Sequence, residues 1–217
     1  ARTHLVAGAG FDASQSSRKF RVSMSDMSAA FFMPRLVREM RVLAPASSLE
    51  ICCVPSHQNY ESLENGDIDL AVTTARIQTE GLFQQQVVAQ ELVCLVASSN
   101  PVVESGMELS TYLTASHIGI SPHGQDVDFF EWMATGLGLR RRFALVVDSF
   151  LVLPSLIPGT DLIATVPRCL PDLYSSAFEV KTLPVPISVP APTLRQVWHP
   201  RFHADPGHVW FRNLMFT

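Results

Sequence analysis

The chain has 217 residues, 47% of them hydrophobic and 17% charged, which is enough for one large domain or two small ones around an ordinary core. Its formal charge of −4, from 16 basic and 20 acidic residues scattered along the sequence, argues against a phosphate-binding surface on this piece. The lack of an apolar run of roughly 18 residues argues against a single membrane-spanning helix, and the N-terminus carries no basic-then-apolar leader.

Because the sequence opens at Ala1 rather than methionine, a piece cut from a longer protein is expected. Residues 1–19 are read as a loose lead-in or linker remnant, small and polar around Gly8, Gly10, Ser14, Ser16 and Ser17. FRVSM, Phe20 to Met24, alternates as a strand does, and Ser25, Asp26 and Ser28 then offer helix N-caps. Phe32, Met33, Leu36, Val37, Met40 and Leu43 recur at three- and four-residue spacing opposite Arg35, Arg38 and Arg41, an amphipathic helix over 29–44. Pro34 fits only near its first turn. LEICCV, Leu49 to Val54, predicts a second strand, a short helix follows to Gly66, and IDLAV predicts a third strand. Strand, helix, strand, helix, strand argues for a parallel sheet with helices on its faces.

Two further strands are expected in LFQQQVVAQ and ELVCLVASS. A second set then begins: HIGIS as strand, 126–138 as helix, FALVVDS as strand, 150–157 as helix and DLIATVP as strand. VKTLPV reads as an edge strand, Pro184 to Pro192 as an extended connection, LRQVW as a strand and DPGHVWFRNLMF as a final helix with Pro206 in its first turn. The fold class is therefore α/β, with two Rossmann-like lobes. Lobe I takes 20–92 and 199–217, lobe II takes 99–192, and the segments 93–98 and 193–198 are expected as hinge strands beside a cleft.

Several chemical signals invite a structural explanation. Asp67 and Asp69 share a face if both are in strand, yet Asn65-Gly66-Asp67 is turn chemistry at the amino end of a strand, opposite the end where open sheets bind ligands. Cys52, Cys53, Cys94 and Cys169 form no CxxC pair and are expected as reduced core residues of a cytoplasmic protein. Arg140 to Arg142 reads as a solvated face. His199, His203 and His208 sit four and five residues apart, but Pro200 keeps one regular helix from presenting all three to a metal. GISPHG is not a GxSxG nucleophile elbow, and no phosphate-binding or dinucleotide glycine motif occurs, so an enzyme is the weakest class and no cofactor is expected.

SLENGDIDLAVTTA resembles the signature of the effector-binding domain of LysR-type transcriptional regulators. FDASQSSRKFRVSMSD is similar to that domain's opening in the branch answering aromatic compounds and flavonoids, and HPRFHADPGHVWFR to its C-terminal motif. ELVCLVASSNP resembles its first hinge strand and DLIATVPRCL its strand-to-helix turn in the second lobe. The resemblance covers about residues 11 to 217. It implies a fold like type 2 periplasmic binding proteins, a small-molecule effector in the cleft and homodimers that form tetramers in the full-length protein. It also implies DNA contact only through a winged helix-turn-helix outside this sequence, and no membrane. A periplasmic-type solute carrier is the alternative.

The cleft is expected to be lined by residues just past strand ends, where helix N-termini suit an anion. In the first lobe these are Ser25, Asp26 and Met27, then Pro55, Ser56 and His57; in the second they are Ser121, His123, Gly124, Ser149, Phe150, Thr165 and Arg168. Ser25 is equally a favoured cap, Phe150 either a stacking partner or core, and Arg168 either an acid-binding group or half of a salt bridge. The serines, histidines and Phe150 favour a small aromatic acid or phenol, an inference that the resemblance mostly carries.

Overall fold

The computed structural model describes residues 10–75, 81–121, 135–136, 138–174, 178–188 and 190–216. The chain divides into two units, residues 1–88 with 193–217, and residues 89–192.

Unit 1 begins with β1 (Lys19–Ser23), whose alternating burial puts Phe20 and Val22 into the core at 0% exposure. Ser25 then caps α1 (Asp26–Leu43): its Oγ accepts from the Ser28 amide at 3.2 Å, and Asp26 in the first turn complements the helix dipole. The helix runs straight through Pro34 rather than starting beside it. A mid-helix proline gives up one backbone bond and costs about 3 kcal/mol. Here Pro34 lies on the exposed side, while Leu36 and Met40 bury the opposite side in the core and hold the helix together.

β2 (Ser48–Cys52) pairs parallel with β1, and a 3-10 turn, Ser56–Gln58, leads to α2 (Asn59–Asn65). Gly66 ends α2 in the left-handed conformation, φ 79°, which a side chain adopts only with strain. β3 (Leu70–Thr73) is parallel to β1, and β4 (Phe83–Ala89) completes this unit's first pass. After the second unit the chain returns as β10 (Thr193–Trp198), antiparallel to β3, and α7 (Pro206–Phe216). The strand order is β2-β1-β3-β10-β4. The main core lies between this sheet and α1 with α7, where Phe20 stacks on Phe211 at 4.2 Å and 9°.

Unit 2 opens with β5 (Leu92–Ala97), followed by α3 (Val102–Ser105), α4 (Leu109–Thr114) and β6 (Ser116–Ile120). β7 (Arg142–Val147) follows, then the one-turn α5 (Leu153–Leu156), β8 (Ile163–Pro167), α6 (Cys169–Tyr174) and β9 (Val180–Pro184). The order β7-β6-β8-β5-β9 repeats that of unit 1: three parallel strands, then an antiparallel one. The segments expected as hinges are seen as β5 and β10, each belonging to one sheet.

Some expectations change. The helix expected over 150–157 shrinks to one turn around Pro154, with Thr160 already turning toward β8. The helix expected over 126–138 falls largely outside the described residues. The four cysteines are reduced, but only Cys94 is fully buried, and Cys53, past the end of β2, is exposed. Residues 11–18 are not loose: Asp12 caps a 3-10 turn, Ala13–Gln15, and Phe11 packs against the main core. Among the described residues no helix is long and apolar enough to cross a membrane.

Candidate functional site

In unit 1 the predicted residues fall on two adjacent turns at the carboxyl ends of β1 and β2. The Met24 amide donates to the Cys52 carbonyl at 2.9 Å, and the Val54 amide to Ser23 Oγ at 3.1 Å, so the two turns are fastened side by side. Ser25 and Asp26 are half-buried at the start of α1; Ser25 Oγ also meets Ser28 Oγ at 3.1 Å, and Asp26 Oδ1 accepts from the Met27 amide at 2.7 Å. Met27 points into the protein at 4% exposure, so its apolar side chain serves packing. Pro55 and Ser56 are half-buried and His57 is exposed, its Nε2 3.3 Å from Gln58 Nε2. Sequence reasoning passed over Ser23 and Asn59. Asn59, the first residue of α2, is 2% exposed and its Oδ1 meets no hydrogen-bond partner among the described residues. A polar residue straight after a predicted turn was the only signal for it.

In unit 2, Ser121 follows β6 and its amide donates to the Val147 carbonyl at 2.8 Å, which sets it beside Ser149 and Phe150 past the end of β7. Ser149 Oγ accepts from the Leu151 amide at 3.2 Å; Ser149 and Phe150 are both half-buried. His123 and Gly124 lie outside the described residues. Thr165 sits inside β8 at 4% exposure, with its hydroxyl 2.6 Å from Tyr112 Oη. Arg168 is exposed and clasps Glu91 with both arms, Nε to Oε2 at 2.7 Å and Nη2 to Oε1 at 2.8 Å. That bond holds the Glu91 carboxyl below the usual carboxylate range.

Two buried polar hubs were not foreseen. In unit 1, His208 Nε2 donates to the Asp69 carbonyl at 2.8 Å, so its Nδ1 accepts from Arg212 Nη1 at 2.5 Å. Arg212 also donates to the Phe202 and His203 carbonyls and lies 4.2 Å over the Trp198 ring. Burial keeps His208 neutral, with its pKa pushed down to about 4; the Asp69 carbonyl opposes the shift and Arg212 adds to it. Asp69 is not half of a working carboxylate pair. It is 4% exposed and its Oδ2 accepts from the Arg21 amide at 2.7 Å, lengthening the β1–β3 pairing, while Asp67 is exposed in the turn.

In unit 2, Arg141 is 9% exposed, which corrects its reading as part of a solvated face. Its Nη1 donates to Tyr112 Oη at 3.1 Å and Thr165 Oγ1 at 3.3 Å, and its guanidinium lies 5.0 Å from the Phe143 ring centre. Burial pushes the Tyr112 phenol and the Cys94 thiol up to about 12, so both stay neutral. Among the described residues no group of three His, Cys, Asp or Glu side chains is placed to hold a metal.

Comparison with known proteins gives this arrangement a family. Residues 13–216 match the family described as the LysR substrate binding domain. The chain is 31% identical over 215 residues to the HTH-type transcriptional activator NahR of Pseudomonas putida, covering 99% of this chain and 72% of that protein. The crystal structure of the probable transcriptional regulator PA0477 from Pseudomonas aeruginosa superposes with a TM-score of 0.87 at 25% identity, over 94% of this chain and 68% of that one. The BenM effector binding domain with its effector benzoate shares the fold, with a TM-score of 0.73 at 16% identity, over 91% of this chain and 90% of that one. The relatives are transcriptional regulators rather than enzymes, and this chain belongs to the LysR substrate-binding domain family.

Proposed function

We infer that this chain senses a small aromatic acid or phenol on behalf of a cytoplasmic LysR-type regulator, which binds DNA through a separate helix-turn-helix. The observation that carries this reading is the site in unit 1: the Ser25-capped start of an 18-residue helix meets the 55–57 turn at the carboxyl ends of two parallel strands. That edge combines the positive end of a helix dipole, which favours an anion, with hydroxyls and an imidazole suited to a phenol or carboxylate. In unit 2, Ser121, Ser149 and Phe150, past the ends of β6 and β7, form a comparable strand-end set, with His123 and Gly124 between them in sequence. Asn59 supplies a buried acceptor for a hydroxyl. A benzoate-binding domain of the same fold supports the ligand class.

Arg168 contributes only when Glu91 releases it, and Thr165 acts from behind, through Tyr112. Ligand shifts the balance between conformations by its difference in affinity for them, and a homodimer passes that shift to the DNA-binding heads. The outward side of α1, where Phe31, Val37 and Val42 are exposed, suits one half of that dimer contact.

The test is calorimetric titration of the domain with salicylate, repeated on Ser25→Ala and His57→Ala. Wild-type binding that weakens roughly tenfold in either variant supports the site, since one lost charged hydrogen bond has about that effect. Wild-type binding untouched by both variants removes this site from consideration.

A further inference from the structure

Residues 11–18 grip α7 through a slot that only glycine provides. Phe11 packs on Trp210 with ring centres 5.5 Å apart, and Ala13 joins the same core. Ser47 Oγ donates to the Ser16 carbonyl at 2.8 Å and the Ser48 amide to the Arg18 carbonyl at 3.0 Å, tying the segment to the start of β2. Arg18 Nη1 lies 2.5 Å from Asp205 Oδ1, with its guanidinium over the Phe20 and Phe202 rings. A Cβ placed on Gly207 would stand 2.9 Å from both Arg18 Nη1 and Phe11 Cε2. Glycine is a poor helix former, so its place in the first turn of α7 is explained by this close approach.

We propose that Phe11–Arg18 is a latch that fastens the chain preceding it to α7, with Asp205 coupling its grip to the interior of unit 1. The Oδ1 that accepts from Arg18 also accepts from the His208 amide at 2.6 Å and so caps α7. His208 in turn holds the Asp69 carbonyl just ahead of β3. A shift of α7's first turn must therefore carry Arg18 with it or break the pair. α7 follows closely on β10, the strand with which the chain re-enters unit 1 at Thr193. The latch thus gives a physical route from the interior of unit 1, which carries the proposed effector site, to the segment ahead of Phe11. This consequence rests on the sensing reading, whereas the latch itself does not.

Amide hydrogen exchange on the purified chain separates the two. Gly207→Ala, Phe11→Ala and Arg18→Gln should each speed exchange at Gln15, Ser16 and Ser48 roughly tenfold or more, with β1 and β3 protection and the melting midpoint nearly unchanged. Unchanged exchange at those amides, or a rise only in step with global unfolding, overturns the latch. Phe11→Ala and Arg18→Gln keep the test open should the alanine at 207 prevent folding. In the full-length protein, a transcriptional response to salicylate that changes in the loosened variants, while the isolated domain keeps its salicylate affinity, supports the coupling. An unchanged response in variants with a loosened latch overturns it. If salicylate and its relatives do not bind the wild-type domain, the sensing reading fails and the latch is judged on exchange alone.

Discussion

The two units order their strands alike, with three parallel strands followed by an antiparallel one that is the first strand after the chain crosses between units. They differ in how they bury charge. Unit 1 gathers Arg18, Asp69, Asp205 and Arg212 into a hub around a neutral histidine. In unit 2, among the described residues, the buried Arg141 meets two hydroxyls and an aromatic face. One topology therefore accommodates two electrostatic designs, because the sheet constrains backbone pairing and leaves the faces to the side chains. Their pH responses should diverge accordingly.

The largest effect should come from the apolar core of unit 1. Phe211→Ala removes a fully buried ring stacked on Phe20 and should cost about 3–5 kcal/mol in denaturant unfolding. Loss of unit 1 protection ahead of unit 2 in hydrogen exchange would show that the units unfold separately.

Next comes acid. The folded state holds His208 at about 4 against an ordinary 6.5, so as pH falls the unfolded chain takes up the proton first. Stability should be full above pH 6.5, decline below it, and have lost roughly 3 kcal/mol by the lower value, taking 1.36 kcal/mol per pH unit. His208→Gln should flatten this slope. An unchanged slope would assign the acid sensitivity elsewhere.

Unit 2 should respond to alkali instead. Tyr112 is raised from 10 to about 12, so its contribution is present below pH 10 and is lost as pH rises through that interval. Tyr112→Phe should cost about 1–3 kcal/mol near neutrality by stripping Arg141 and Thr165 of a shared partner, and should remove the alkaline decline. The smallest effect should be at the exposed Arg168–Glu91 pair, where Glu91→Gln leaves the melting midpoint unchanged. If the freed guanidinium then reaches the effector, salicylate binding should tighten.

The order of elements was legible because period-two and helical patterns are local, and so was the Gly66 stop, which needs only a left-handed turn. The charge hubs were not. Arg141 stands in a run of three arginines, yet entry into β7 turns alternate residues to opposite faces, so the middle one goes inward to Tyr112 and Thr165, partners 29 and 24 residues away. Residues 11–18 looked loose since serines and glycines carry no period; their hold depends on Gly207 and Asp205 at the far end of the chain. Of the site, the strand-end positions were legible from topology alone. The inward turn of Thr165 and the burial of Asn59 depend on side-chain packing that no spacing encodes.

The central claim is tested most directly by thermal unfolding of the purified chain against salicylate-like acids, hydroquinones, chlorophenols, flavonoids, amino acids and sugars. Ligand bound to the folded state raises its stability by mass action. The sensing reading predicts a saturable rise in midpoint with one aromatic class, diminished in Ser25→Ala. A rise with amino acids or sugars alone would contradict it.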